Sequence, residues 1–419
     1  MRIGLLFPSI YASPTLFPDK IFAPRELLID LADGLVDRGH EVTVFSSPDL
    51  TTKAKLVNDP LDTVIHPLTY YKFRGVDTAR RKILEEEFAK HHFELDLISQ
   101  AFSMAHREMF DVLHVYHESS MFFSHYLDEL MHDIPVVYTL HDPLPPKGTY
   151  EFSAFSQFKD HNYVSISNSF RQSELKLNFV DTVYHGIKLA DYPFNPTPDN
   201  HLLFLGRLVP EKGLHNAIAA VGITGDKLTV SVNLPKDGEV NEYYEKTLKR
   251  YVDDQAAGPA AGNPAGRPTE GTPAGGGPVP LVTRDLFTIL PVVDKKSRIE
   301  LYRNAKALLF PIEWEEPFGV VLVEAMATGT PVIAFNRGSV SEIVKDGVTG
   351  FIIEPDGRPV NPASRIQKTG IEGLVEAIRR IGEIDRADCR KHMEDHFTVT
   401  HMVEGYERVY TGVLNKGGR

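Results

Sequence analysis

Twice along this chain, short apolar runs of strand length alternate with longer helical patterns, and a proline-rich segment separates the two series. In the first series the expected strands are Arg2–Phe7, Glu41–Ser46, Val112–Tyr116, Val136–Leu140, Tyr163–Ile166 and Thr182–Tyr184. Helices are expected over Pro24–Arg38, Arg80–Ala105, Ser120–His132 and Phe170–Leu177. Asp191–Asn200 holds three prolines and reads as a linker. The second series then sets strands at Leu202–Leu205, Leu228–Val232, Phe287–Leu290, Ala307–Pro311, Val332–Phe335 and Phe351–Ile353. Its helices are expected at Leu214–Val221, Glu242–Tyr251, Lys296–Asn304, through Glu324, and at Ile371–Ile381 and His401–Leu414. Alternation of this kind gives βαβ units and parallel sheets. The expected fold class is therefore α/β: two Rossmann-like, doubly wound domains over residues 1–190 and 191–395, with a ligand cleft between them. Residues 396–419 are expected to form a C-terminal helix crossing back to the first domain.

One segment breaks the rhythm. Residues 255–280 are mostly Gly, Ala and Pro, with no apolar face to bury, and read as a disordered surface loop. It is either a tolerated insertion or a mobile lid.

Composition excludes several classes. The 45 Lys and Arg against 57 Asp and Glu leave a net charge of -12, so phosphate-backbone binding and adhesion to anionic lipid are not expected. A single cysteine, Cys389, rules out an internal disulfide or a multi-cysteine zinc site. The apolar run Val320–Phe335 is interrupted by Glu324, Gly329 and Pro331, which suits a buried helix and strand rather than a membrane span. The start MRIGLLFPSIY lacks the plan of a secretion signal. The expected location is cytoplasmic, with no strong membrane association and no nucleic-acid partner.

Two constellations carry chemistry. In Gly206-Arg207-Leu208-Val209-Pro210-Glu211-Lys212-Gly213, a strand end meets a helix start with two cations between them. Free N–H groups, the helix dipole, a planar guanidinium and a mobile ammonium then converge on an anion. In Glu316-Pro317-Phe318-Gly319-Val320-Val321-Leu322-Val323-Glu324, two carboxylates flank a turn and an apolar helix expected to begin near Phe318. Eight residues of helix span about 12 Å, so the two cannot serve one atom but could bracket an elongated ligand. Glu324 lies within an apolar helix, where an unpaired carboxylate is costly. It either serves a ligand or pairs with a buried Arg or Lys.

With these residues in view, the chain resembles the retaining glycosyltransferases of family 4, which have the GT-B fold. Gly206-Arg207, Glu211-Lys212-Gly213, the pair Glu316 and Glu324, Glu324–Ala334 and Asp346–Phe351 follow the family pattern. Arg38–Val42 and Thr139–Asp142 follow it more loosely. The resemblance implies that Arg207 and Lys212 hold the diphosphate of a nucleotide-sugar, beside Gly206. Glu324 would take the ribose hydroxyls, and Glu316 the sugar hydroxyls, assisted by backbone N–H groups of Phe318, Gly319 and Val320. His141 would reach toward the sugar or the acceptor. The implied reaction is retaining transfer of a hexose to an acceptor hydroxyl of a small molecule or glycan. The donor is a UDP-sugar, UDP-glucose first, with a GDP-sugar second. No cofactor and no metal are implied, since no Asp-x-Asp pair stands at a suitable strand end. The rival readings are an epimerase of the same fold and a non-catalytic nucleotide-sugar-binding subunit.

The sequence departs from the family in four places. A long loop, Pro8–Phe22, replaces the Gly-Gly turn after the first strand. His185-Gly186-Ile187-Lys188 stands at the crossing between domains, Asn233-Leu234-Pro235 replaces a glycine-rich turn, and the glycine of the base-binding turn is replaced near Pro291. Tyr11, Phe17, Phe22, Tyr70, Tyr71 and Phe73 are either core or the floor of an acceptor pocket.

Overall fold

The structure is a computed structural model that describes residues 1–15, 23–58, 79–117, 122–131, 134–235, 240–249 and 286–417. The chain divides into two compact units: unit 1 is Met1–Lys188 with Phe397–Arg419, and unit 2 is Leu189–His396.

Unit 1 runs β1 (Arg2–Leu6), α1 (Ala23–Asp37), β2 (Glu41–Phe45), β3 (Lys55–Val57), α2 (Ala79–His106), β4 (Val112–Val115), α3 (Phe123–Met131), β5 (Val136–Leu140), α4 (Tyr150–Gln157), β6 (Asn162–Ser165) and β7 (Phe179–Thr182). Its strands lie in the order β3-β2-β1-β4-β5-β6-β7. All pairings are parallel, with Leu6 opposite Phe45 and Val115. Leu97, Ile98, Ala101 and Phe102 of α2 pack into the cluster formed by Leu6, Phe45, Leu113 and Val115.

Unit 2 runs β8 (His201–Gly206), α5 (Leu214–Thr224), β9 (Lys227–Val232), α6 (Glu242–Thr247), β10 (Phe287–Leu290), α7 (Lys295–Asn304), β11 (Ala307–Phe310), α8 (Val320–Ala327), β12 (Val332–Phe335), α9 (Val340–Ile343), β13 (Gly350–Ile353), α10 (Gly370–Arg380) and α11 (Arg386–His396). Its six strands are parallel in the order β10-β9-β8-β11-β12-β13. The two doubly wound parallel sheets are those of the GT-B class.

The last helix, α12 (Val399–Gly417), belongs to unit 1. Met402, Val403, Tyr406, Val409, Tyr410 and Val413 are buried at helical spacing. Each such side chain contributes about 1.5–3 kcal/mol when fully removed from water. Two of them also carry hydroxyls that need partners. Tyr410 Oη lies 2.7 Å from His114 Nδ1, and His114 Nε2 lies 2.8 Å from Thr139 Oγ1. Tyr406 Oη closes the chain 2.9 Å from the same Thr139 oxygen. The helix is thus tied to β4 and β5 by a buried polar network.

Three expectations need correction. Phe170–Leu177 is not a helix; only Ser169–Arg171 makes a short 3-10 turn. There Ser167 and Ser173 hydroxyls accept from the backbone N–H of Phe170 and Leu175, competing with helical bonds. The strand expected at Thr182–Tyr184 is Phe179–Thr182. Residues 191–200 are not a loose linker. Tyr192 is buried, Asn195 donates to Arg303 O, and Asp199 N donates to Asn304 O. Residues 255–280 lie outside the described residues.

Candidate functional site

In unit 2 the strand order switches between β8 and β11, where open α/β sheets take ligands beyond the carboxyl ends of their strands. The segment after β8 is fastened to the end of β11. Gly213 has φ 73°, and a Cβ there would stand 1.8 Å from Pro311 O, so only glycine fits. Glu313 N donates to Glu211 O at 2.8 Å, which joins the two segments again. Asn233, at the position of the missing glycine-rich turn, accepts from Leu208 N at 2.8 Å. That bond holds the Arg207 turn from the β9 side.

This scaffold gathers the charged residues. Lys212 Nζ donates to Glu316 Oε2 at 2.8 Å, and Trp314 Nε1 donates to the same oxygen at 2.8 Å. The Lys212 ammonium stands 4.7 Å from the Trp314 ring centre, and the Arg207 guanidinium 5.7 Å from it. The indole therefore lies near two cations, each in reach of a cation–π attraction. Glu316 is buried, and its backbone is pinned from the far side. Ser339 N donates to Glu316 O at 2.9 Å, and Gly338, at φ 56°, leaves no room for a Cβ, which would lie 2.3 Å from that oxygen.

Gly319, at φ 81°, is the N-cap of α8, and no side chain caps the helix there. The helix begins at Val320, two residues later than expected, so Glu316 precedes it in the turn. Phe318 is buried, and its carbonyl accepts from Ser339 Oγ at 2.8 Å.

Glu324 sits inside α8 with both carboxylate oxygens engaged. Oε1 accepts from Tyr192 Oη at 2.8 Å and from Arg298 at 3.1 Å, and Oε2 accepts from Tyr302 Oη at 2.9 Å. Glu324 and Arg298 are both nearly excluded from water, at 6% and 8% side-chain exposure. Of the two readings open at the sequence level, the buried ion pair is the one the structure contains. Burial and the Glu324 charge hold the Tyr302 phenol well above its ordinary value, so it remains a donor.

Unit 1 places His141 just past β5. Its Nε2 lies 2.7 Å from Tyr116 O, which makes Nε2 the protonated nitrogen and Nδ1 an acceptor. The His185 ring stacks on it at 5.1 Å and 12°, and Tyr116 meets it edge-on at 4.8 Å. Burial, then the neighbouring His185 and His117, push the His141 pKa well below 6.5, and burial lowers His185 to about 3. These imidazoles are neutral hydrogen-bonding groups at neutral pH.

Arg207, Lys212 and Glu316 are thus brought together, with Gly206 and the start of α8 on the same scaffold. Glu324 belongs to a neighbouring buried cluster, and His141 to unit 1. The sequence reading missed Trp314, Asn233, His185 and the Tyr192–Arg298–Tyr302 set around Glu324. His185 was visible as a departure from the family pattern; the partners of Glu324 carried no local signal.

The comparisons with known proteins fit this architecture. The family described as Glycosyltransferase Family 4 matches residues 26–187, and that described as Glycosyl transferases group 1 matches residues 283–383. Glycosyltransferase family models thus match both halves of the chain. This glycosyltransferase is 22% identical to an uncharacterized glycosyltransferase, MJ1607, of Methanocaldococcus jannaschii, over 78% of its own length and 79% of that protein's. It is 39% identical over 99 residues to the D-inositol 3-phosphate glycosyltransferase of Nocardia farcinica, a match covering 22% of each chain. Other curated relatives are likewise matched over only 23% to 33% of their length. Its fold is similar to that of HepE from Anabaena, crystallised with UDP and glucose, at TM-score 0.63 and 16% identity, covering 98% of this chain and 100% of that one. Among the described residues, no helix of the glycosyltransferase is long and apolar enough to cross a membrane.

Proposed function

We propose that the glycosyltransferase moves a hexose from a UDP-sugar, UDP-glucose first, to an acceptor hydroxyl, with retention at the anomeric carbon and without a metal ion. The observation that carries this reading is the convergence of Arg207, Lys212, Glu316 and the start of α8 at the switch point of unit 2. Two cations and free helix N–H groups suit a diphosphate. HepE, which shares the fold, was also crystallised with UDP-glucose, and that supports a uridine donor.

In the proposed step the bond from the anomeric carbon to the β-phosphate oxygen breaks as the bond to the acceptor oxygen forms on the same face. The acceptor proton passes to the departing phosphate, so atoms balance with no external base. The protein's share is electrostatic: Arg207 and Lys212 meet the charge that develops on the leaving diphosphate. Lys212 would exchange its bond to Glu316 for phosphate oxygens. Glu316 then accepts from sugar hydroxyls. We assign His141 Nδ1 to a hydrogen bond from a substrate hydroxyl. Glu324, by contrast, is proposed to orient α8 from within its buried cluster and to take ribose hydroxyls only if its tyrosine partners move.

The test is calorimetric titration of UDP, GDP, ADP and dTDP, with and without chelator, into wild type and Arg207→Ala. UDP binding that survives chelator and falls in the variant supports the reading. Tighter binding of another nucleotide reassigns the donor, and binding of none overturns the site.

A further inference from the structure

Three segments of unit 2 meet at one carboxylate that lies next to the charged set around Trp314 but bonds elsewhere. Glu315 Oε2 accepts from Gly338 N at 2.6 Å, in the turn after β12. Glu315 Oε1 accepts from Arg337 Nη1 at 3.2 Å and from Arg358 Nη2 at 2.9 Å. Arg358 belongs to the turn after β13, and its Nη1 donates to Asn336 O at 3.1 Å. β11, β12 and β13 are neighbours in the sheet, and the segments that leave them are fastened together on this one side chain.

Stability is a weak reason for the cluster. The Glu315 and Arg358 side chains are 59% and 41% exposed, and ion pairs so placed contribute little to folding. Arg337 Nε is buried with no hydrogen-bond partner among the described residues, an unfavourable arrangement. Desolvation opposes the Glu315 charge, yet the Gly338 N–H and the two guanidiniums outweigh it and hold the carboxyl below its ordinary value.

What the cluster fixes is geometry. A charge-assisted bond to a backbone N–H holds the turn at Gly338. That turn lies directly on the peptide between Glu315 and Glu316. A Cβ on Gly338 would stand 2.3 Å from Glu316 O, 2.5 Å from Glu316 N and 2.8 Å from Glu315 C. The next residue, Ser339, donates to Glu316 O and to Phe318 O. A shift of the β12 turn therefore shifts the Glu316 backbone, and with it the carboxylate that Lys212 and Trp314 share. A displacement of about 1 Å at a group that holds substrate can cost about 100-fold in rate.

We propose that Glu315 and Arg358 are positioning residues for Glu316, setting the place of its carboxylate through the Gly338 turn. The consequence for the donor rests on the glycosyl-transfer reading; the effect on Glu316 does not.

The test uses the full chain and Arg358, which is exposed and distant in sequence from Glu316. Arg358→Met removes the bonds to Glu315 and Asn336, and Arg358→Lys keeps the charge. Trp314, the only tryptophan, donates to Glu316 and reports on it with no ligand present. In the folded protein Arg358→Met should raise acrylamide quenching of Trp314 about twofold, as a loosened segment admits the quencher, and Arg358→Lys should reverse most of the rise. By calorimetry Arg358→Met should weaken UDP-glucose about tenfold and UDP by less than about twofold, since Glu316 is assigned to the sugar and Arg207 and Lys212 to the diphosphate. In a Glu316→Gln background the same change should leave UDP-glucose affinity within about twofold, because residues that act through one group are not additive. Quenching left at its wild-type value would overturn the inference. Equal weakening of UDP and UDP-glucose would also overturn it, as the mark of a lost charge rather than a displaced Glu316. So would a loss of UDP-glucose affinity that persists in full in the Glu316→Gln background. Wild-type titration separates the two readings: no UDP binding removes the donor site alone, while the quenching result still decides the positioning role.

Discussion

Both units present the carboxyl ends of an all-parallel sheet, yet they fill that space with opposite chemistry. Unit 2 holds an ammonium, a guanidinium and a carboxylate around one indole, and the Lys212–Glu316 pair keeps a little contact with water, at 14% and 10% side-chain exposure. Unit 1 holds imidazoles, phenols and hydroxyls, and its buried histidines are pushed toward neutrality. Charge in unit 2 suits a diphosphate that arrives with its own charge. The neutral imidazoles of unit 1, beside the Asp142 and Glu151 carboxylates, suit hydroxyls that bring protons to share. Under the proposed transfer, donor and acceptor ask for different electrostatics, and the same fold supplies both by varying the residues placed just past each strand.

The contrast predicts different responses to acid. His114 and His185 are held near 3 by burial, whereas the unfolded chain titrates them near 6.5. Below pH 6.5 the unfolded state binds protons that the folded state refuses. The stability they contribute is complete above 6.5, falls as pH drops toward 3, and is constant below that. At about 1.4 kcal/mol per pH unit for each group, unit 1 should lose about 4 kcal/mol between pH 7 and pH 5. Trp314 is the only tryptophan and lies in unit 2, so its fluorescence follows that unit while circular dichroism follows both. Urea unfolding at the two pH values should move the dichroism transition far more than the fluorescence one. Equal movement of both would break the comparison.

Lys212→Met is next in size. Loss of one cation from a developing diphosphate should lower kcat/KM by about 100- to 1,000-fold. Steady-state transfer from UDP-glucose checks it, and a loss under tenfold would leave Lys212 as an ordinary partner of Glu316.

Gly213→Ala then tests whether the unit 2 scaffold is as rigid as its contacts imply. A methyl group forced toward Pro311 O at positive φ should cost about 3 kcal/mol. Here the Trp314 fluorescence transition should shift to lower urea and the unit 1 component should stay in place.

The smallest expected effect is Tyr406→Phe. It removes one buried hydroxyl from the Thr139 network and should cost about 1 kcal/mol, read by dichroism with Trp314 fluorescence unchanged.

The same contrast governs what could be read in advance. The strand and helix alternation was legible because each element is a contiguous apolar pattern. Arg207, Lys212 and Glu316 were legible because they lie in two short runs flanked by turn glycines. In unit 1 His141 was named through the family resemblance, but its grouping with His117 and His185 was not legible, because the three come from separate strand ends and have no shared spacing. The partners of Glu324 were hidden in the same way. Tyr192 lies in a proline-rich stretch that reads as a linker, and Arg298 faces inward from a helix whose sequence, Lys295–Asn304, is largely polar. Residues 170–177 failed for a local reason, since serine hydroxyls took the backbone N–H bonds that a helix needs.

The return of α12 to unit 1 also sets an order of assembly. Unit 1 draws on both sides of unit 2 in the chain, and its buried tyrosines Tyr406 and Tyr410 lie in the later segment. On the ribosome, everything unit 2 needs has been made before those tyrosines are translated. Domains form as their chain emerges, so unit 2 can be complete while nascent unit 1 still exposes the apolar surface that Met402, Tyr406 and Tyr410 pack against.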